Sequence, residues 1–383
     1  MSQNNPFIPL HIVEEILLNL DGKTLIQCVF ICRDWNSLIT SPNFISGHSN
    51  RAFDSKKEVL LIKCYRPKET KSSESVRESI VKFEGSYSLH LDNDQFDLFR
   101  TVKSPIIEGY RGLTRMGTSN GIICFVDHPP INFVLWNPTI QRYVFLPRLT
   151  LLTWDLHRSV LAFGFNRRSN DFKVVVLVCH NYEVSSIDSA YVFSYLNWSW
   201  KHVTGIPPPP PRDLKEGSFD RVLINGALHW IVWNKIEGYP FVLTFDLTHE
   251  VFGEILLPRS IANDAYSLSI MAVGDSIAVS SKKKNKFSER IWSVWIMKQY
   301  GIDGSWTNKV STNELHPIEV LDIRKNGDII LEKRAGQFVR YNPSTSTTKV
   351  LRALDGSVFI GNHVENLCLL DKGEDVNPNQ LMI

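Results

Sequence analysis

IPLHIVEEILLNLDGKTLIQCVFICRDWNSLITSPNF, residues 8–44, is the stretch on which the organisation of the chain depends. It reads as three short helices. His11 to Leu20 carries Val13, Ile16, Leu17 and Leu20 at i, i+3, i+4, i+7 spacing on one arc. Pro9 suits a helix start and Asp21-Gly22 ends the first helix. Lys23 to Ile31 forms a second helix. Trp35, Leu38 and Ile39 give a third its stripe, and Ser41-Pro42 stops it. Leu25, Ile26, Cys28, Val29, Phe30, Ile31 and Cys32 surround the second helix on nearly every side, and Ile12 and Leu18 lie off or at the edge of the first helix's arc. A helix apolar all round is buried all round. About 40 residues cannot enclose that much surface alone. Either the rest of the chain or a partner covers it.

Composition narrows the classes. The 383 residues are 43% hydrophobic and 21% charged, ordinary for a globular protein of roughly two or three domains. The formal net charge is +2, so no nucleic-acid or membrane partner is expected on electrostatic grounds. No apolar run reaches the ~18 residues a membrane span needs, and MSQNNPFIPL lacks the form of a secretion signal. The expected location is the cytoplasm or nucleus. Six cysteines scattered through apolar stretches fit free thiols in a reducing compartment. Cys28 and Cys32 stand four apart, but no second pair or histidine at ligand spacing joins them, so no metal is expected. Asn197-Trp198-Ser199 is a sequon without a secretory context. There is no phosphate loop, no G-x-S-x-G turn and no H-x-x-x-H pair with a nearby acid, so neither a cofactor nor a catalytic group is assigned.

Beyond Ala52 the pattern changes to short β-type runs. Turns followed by apolar strands recur at Asn120-Gly121, Asn170-Asp171, Asn225-Gly226, Gly274-Asp275 and Asn326-Gly327, at intervals of 49 to 55 residues. After each comes a strand rich in aromatics, such as Phe133 to Trp136 and Val242 to Phe245. Three of these end on Asn137-Pro138-Thr139, Asp246-Leu247-Thr248 and Asn342-Pro343-Ser344. A further run follows, such as Tyr143 to Leu146 and Phe252 to Leu257. Antiparallel units at this period read as propeller blades, with a β-sandwich pair as the structural alternative. Residues 58–105 supply part of a further blade, which the run Glu365 to Leu370 is expected to complete. The fold class is therefore a small all-α unit of three helices followed by an all-β, propeller-like domain, divided as 1–50 and 51–383.

Both parts resemble known families. The N-terminal stretch resembles an F-box, the segment that docks on the Skp-type adaptor of cullin-based ubiquitin ligases. The resemblance rests on Ile8-Pro9, Ile12-Val13-Glu14-Glu15-Ile16-Leu17, Lys23-Thr24-Leu25, Arg33-Asp34-Trp35-Asn36-Ser37-Leu38-Ile39 and Ser41-Pro42-Asn43-Phe44. Leu20-Asp21-Gly22 stands where the family usually has Leu-Pro-Val. The repeats resemble the plant F-box-associated domain through Gly164-Phe165, Asn225-Gly226-Ala227-Leu228-His229-Trp230, Phe245-Asp246-Leu247, Phe252 to Pro258, Trp295 to Gly301 and Ser305-Trp306-Thr307. The resemblance implies a non-catalytic receptor of plant origin. Its helices would bind a Skp-type adaptor and, through it, a cullin, and its β domain an unidentified target protein for ubiquitination and proteasomal degradation. The adaptor-binding residues expected are Pro9, Ile12, Ile16, Leu17, Leu25, Val29 and Trp35, with some of them serving packing among the helices. A propeller enzyme acting on carbohydrate and a ligase-independent binding module are the alternatives.

Remaining features have ordinary readings. His229 beside Trp230 reads as structural. Pro207 to Pro211 reads as a stiff connection between units, Lys282-Lys283-Lys284-Asn285-Lys286 as a solvated hairpin, and the tryptophans as blade core. Trp233 and the neighbourhood of Tyr239 are candidates for a binding face.

Overall fold

A computed structural model describes residues 8–54, 59–67, 83–91, 93, 96–103, 114–127, 132–149, 160–178, 189–204, 212–213, 221–234, 238–262, 265–284, 290–312, 317, 319–324, 326–333, 337–351 and 359–369. Four helices come first: α1 (Leu10–Leu18), α2 (Gly22–Val29), α3 (Arg33–Ile39) and α4 (Pro42–Asp54). Asp21 does not merely end α1. Its side chain accepts a 2.8 Å hydrogen bond from the Thr24 N–H and so caps the start of α2. That N–H also holds the Asp21 carboxyl below its usual range. Pro42 likewise has two roles. It cannot extend α3, yet its fixed φ suits a first helical position. A fourth helix absent from the sequence reading therefore follows at once, and the boundary expected after residue 50 falls inside it.

The remainder is a β-propeller of six antiparallel sheets. Blade I holds β1 (Val59–Pro67), β2 (Phe83–Leu91) and β3 (Leu98–Lys103). Blade II holds β4 (Thr114–Ser119), β5 (Ile122–Asp127), β6 (Asn132–Asn137) and β7 (Arg142–Phe145). Blade III holds β8 (Val160–Asn166), β9 (Asp171–Val178), β10 (Ser189–Ser194) and β11 (Ser199–Val203). Blade IV holds β12 (Arg212–Asp213), β13 (Val222–Ile224), β14 (Ala227–Asn234), β15 (Tyr239–Asp246) and β16 (Val251–Leu256). Blade V holds β17 (Ala265–Val273), β18 (Ser276–Lys284), β19 (Arg290–Met297) and β20 (Trp306–Thr312). Blade VI holds β21 (Glu319–Ile323), β22 (Ile329–Lys333), β23 (Gln337–Asn342) and β24 (Thr347–Val350).

The last strand, β25 (Phe359–His363), returns to blade I and pairs antiparallel with β1, from Val59 opposite His363 to Lys63 opposite Phe359. The expectation that Glu365 to Leu370 would close the ring is thus corrected. The closing strand lies just upstream, and Val364–Leu369 passes on to the helices. Closure by one sheet strand from each end of the domain removes the open edge that a linear stack would leave.

Turn chemistry explains the regular spacing. Asn120-Gly121 and Asn225-Gly226 both take positive φ at both residues, at 43° and 79° and at 50° and 76°. That is the conformation two-residue hairpins prefer, and Asn and Gly tolerate it best. On the same face of the ring, Asn137, Asp246 and Asn342 each accept backbone N–H bonds two residues on, from Thr139, Thr248 and Ser344. These side chains close the turn between the third and fourth strands.

Apolar clusters join neighbouring blades. Tyr87, Leu89 and Val102 of blade I meet Phe125, Val134 and Trp136 of blade II. Blades III and IV, IV and V, and V and VI share clusters in the same way. Side chains add bonds across the seams: Asn166 Nδ2 donates to Leu247 O at 3.1 Å, Asn225 Nδ2 to Asp275 O at 3.0 Å, and Trp306 Nε1 to Leu256 O at 3.0 Å. Three runs of the sequence reading, namely Pro207 to Pro211, Asn285-Lys286 and Trp154, lie outside the described residues.

The helices are not a separate globule. Leu17, Leu25, Cys28, Ile39, Phe44 and Ile45 share one core with Met116, Ile122, Phe133 and Leu135 of blade II and with Leu367 and Leu369. At the tightest point, a Cβ added to Gly22 would stand 2.5 Å from Thr139 Cγ2 and 3.6 Å from Leu367 Cδ2. Only glycine lets α2 approach the ring this closely. His48 Nε2 on α4 bonds Leu20 O at 2.9 Å, and Arg51 pairs with Glu15 at 2.7 Å, so α4 also holds α1.

Two buried histidines bear on stability. His229 bonds Tyr300 OH at 2.8 Å and Val222 O at 3.3 Å, linking blades IV and V, and burial pulls its pKa down to about 4. His363, in the closing strand, is lowered to about 4 by burial, with Arg100 adding to the effect. The unfolded chain protonates these rings near 6.5. Each is a base with a depressed folded value, so its contribution is whole above pH 6.5 and is lost as pH falls toward about 4. The loss is about 1.4 kcal/mol per pH unit per ring. Urea denaturation at a series of pH values should therefore give a shallower acid slope, by about that amount, for His229→Gln and for His363→Gln. Carboxylate contributions are common to all three proteins and cancel in the comparison.

Candidate adaptor-binding surface and central channel

The four helices divide their apolar residues between two sides. Leu17, Leu25 and Ile39 are at most 1% exposed and belong to the core shared with the ring. On the opposite side of α1, Ile12 and Ile16 stand one turn apart and are 42% and 53% exposed. Ile8 and Leu10, at the start of α1, and Phe30 and Ile31, just past α2, are also exposed. Exposed apolar side chains gathered on one small unit make this side the candidate surface for a partner.

The seven residues expected from the sequence accordingly separate. Pro9, Ile12 and Ile16 are exposed, Val29 and Trp35 are half-buried against the shared core, and Leu17 and Leu25 are sealed within it. In the folded chain Leu17 and Leu25 thus pack against the ring rather than standing on the outer side. Periodicity had placed Ile16 and Leu17 on one arc, but the ring takes Leu17 and leaves Ile16 outside. Ile8, Leu10, Phe30 and Ile31 were absent from the expected set. Their signal was available in the excess of apolar residues over what three helices can bury.

A cavity of about 520 Å³ runs along the axis of the ring. Its wall is made by the innermost strands of all six blades, and Ser49 and Asn50 of α4 stand at one mouth. Glu319 and Asp322 both line it. A bulge at Leu321 shifts the register between Val320 and Asp322, which returns the two carboxylates to one side of β21. Burial raises the Asp322 pKa to about 6. Its oxygens are nonetheless engaged, one by the Ile323 N–H at 2.9 Å and the other by Arg324 Nη1 at 2.6 Å. On the opposite wall, Arg221 Nη1 donates to Met116 O at 3.2 Å. Among the described residues no group of three or more His, Cys, Asp or Glu is placed to hold a metal ion. Trp233 and Tyr239 lie half-buried at the free end of the β14–β15 hairpin.

Comparison with known proteins follows these two parts. The F-box domain matches residues 7–46, and the F-box associated beta propeller domain matches residues 86–372. The F-box/kelch-repeat protein At3g23880 of Arabidopsis thaliana is 24% identical over 335 residues, covering 86% of each chain. F-box protein CPR1 of the same plant is 25% identical over 78% of this chain and 71% of its own length. F-box protein At3g07870, also from Arabidopsis thaliana, is 23% identical over 90% of this chain and 87% of its own.

The two sides of the helices should differ sharply under truncation. Leu25→Ala opens a cavity in the shared core and should cost about 2–5 kcal/mol. Ile16→Ala removes an exposed side chain and should stay within about 0.5 kcal/mol of the parent. Chemical denaturation of the full chain checks both values.

Proposed function

The chain belongs to the F-box-associated β-propeller family, and on that premise we propose that it is the target receptor of a cullin-based ubiquitin ligase. The outward helical side, with Ile12 and Ile16 at its centre and Phe30 and Ile31 beside α2, binds a Skp-type adaptor. The ring holds a target protein. The chain itself performs no chemistry: holding the target beside a ubiquitin-charged enzyme raises the effective concentration of its lysines. The observation that carries this reading is the division of the helices into one side buried on the ring and one apolar side left bare. A few buried anchors within such a patch supply most of the affinity in complexes of this kind. The shared core supports a rigid receptor, in which the target sits at a fixed distance from the adaptor. The cytoplasm or the nucleus is the compartment that fits, and the free state of Cys28, Cys32, Cys124 and Cys368 agrees with reducing conditions.

A second reading, a propeller enzyme acting on carbohydrate, rests on Glu319 and Asp322 in the channel. It is the weaker one, because Arg324 and the Ile323 N–H already occupy the Asp322 oxygens.

Binding to a plant Skp-type adaptor, measured by calorimetry, tests the proposal. Ile12→Asp combined with Ile16→Asp places two charges in the interface and leaves the shared core untouched. It should weaken binding by about 100-fold or more, the effect of losing central apolar anchors, with the melting temperature unchanged. Undiminished binding by a folded double variant overturns the assignment of this surface.

A further inference from the structure

We infer that the segment running on from the ring-closing strand seats the F-box, so that the helices keep their full cover only when Val364–Leu369 is in place. Val364–Leu369 leaves β25 directly and passes between blade II and α2. Two side chains fix its path. Asn366, fully buried, donates through Nδ2 to Asn120 O at 2.8 Å and accepts the Cys368 N–H at 2.6 Å. Asn137 of blade II donates through Nδ2 to Asn366 O at 2.8 Å and to Cys368 O at 2.9 Å.

The upper side of this segment is the floor for the helices. Leu367 and Leu369 are at most 2% exposed and lie in the same core as Leu17, Leu25 and Cys28. Glu365 Oε2 accepts the Gly22 N–H at 3.4 Å, which serves one of the unpaired donors at the start of α2. Thr139 touches both parts: it faces His363 of the closing strand at 3.5 Å and packs under Gly22.

These contacts form one chain of dependence. With β25 unpaired, Val364–Leu369 is held by the Asn137 and Asn366 bonds alone, and when it leaves them α2 loses its floor and the apolar side of the helices loses part of its cover. An incomplete or nicked receptor thus carries loose helices together with an open ring. Adaptor engagement then selects receptors whose target-binding ring is finished. That last consequence rests on the ligase reading above. The coupling of helices to ring does not, and is tested without any adaptor.

Two glycines make the test. Gly121 and Gly226 occupy equivalent turns of blades II and IV at nearly equal φ, +79° and +76°. A Cβ at Gly121 would fall 2.1 Å from Val364 O, whereas at Gly226 nothing lies within 4 Å. Gly121→Ala and Gly226→Ala therefore impose the same backbone strain, but only the first displaces the segment. Amide hydrogen exchange on the full chain is the readout. Gly121→Ala should speed exchange in α1 and α2 by about tenfold or more while β9, β14 and β18 keep their protection, and Gly226→Ala should leave the helices unchanged. Leu367→Ala, which leaves the turn intact, should loosen the same helices. Should Gly121→Ala fail to fold, Leu367→Ala carries the test alone. Helices that remain protected in the folded variants overturn the inference. So does equal loosening of the helices by both glycine variants, or a loss of protection spread evenly over blades III to V.

Discussion

The ladder between Val59–Lys63 and Phe359–His363 is the contact on which everything else rests. Each of blades II to VI takes its innermost strand from its own repeat, whereas blade I takes it from the far end of the domain. Sheets in a ring are buried only by their neighbours, so every interface presumes the one that closes the circle. Bringing these strands together costs the closure entropy of almost the whole domain, although that cost grows only slowly with length. What offsets it is the apolar seam from Tyr87 to Trp136 and the burial of Leu367 and Leu369 just beyond the ladder.

From that closure follows the way apolar surface is shared among the helices. Taken alone, residues 8–44 carry more hydrophobic side chains than they can hide. The ring removes Leu17, Leu25, Cys28 and Ile39 from water and thereby fixes which side of α1 stays bare. The intramolecular interface and the bare apolar side are thus two faces of one allocation. A residue serves one of them, and its neighbour along the helix often serves the other, as Ile16 and Leu17 do.

Much of this was legible in the sequence, and the gaps have physical causes. The second, third and fourth strands of most repeats announce themselves through Asn-Gly turns, aromatic runs and Asx closures such as Asn137-Pro138-Thr139. The innermost strands do not. TRMGTS in β4 and EVLDI in β21 line a channel, are interrupted by bulges at Met116 and Leu321, and lack a clean alternation. The sequence places strand closure a few residues too late, because Leu367-Cys368-Leu369 is as apolar as a strand and its two leucines are as buried, although it lies past the end of β25. Helical periodicity located α1 to α3 but not which arc the ring would claim. That choice depends on Thr139 and Leu367, residues distant in the chain.

The departure at Leu20-Asp21-Gly22 shows how such distant contacts write themselves into a local sequence. Asp21 supplies the cap for α2, which a proline or valine at the turn has no side-chain acceptor to provide. Gly22 then removes the one Cβ that Thr139 leaves no room for. Glycine in a helix costs about 1 kcal/mol relative to alanine, and its place at the first position of α2, where N–H groups are unpaired in any case, keeps that cost small. A turn that looks like weakened helix punctuation when read alone is, in the folded chain, the fitting that lets α2 rest on its own ring. The bare side of α1 faces away from that contact, so tightening it leaves the exposed isoleucines as they are.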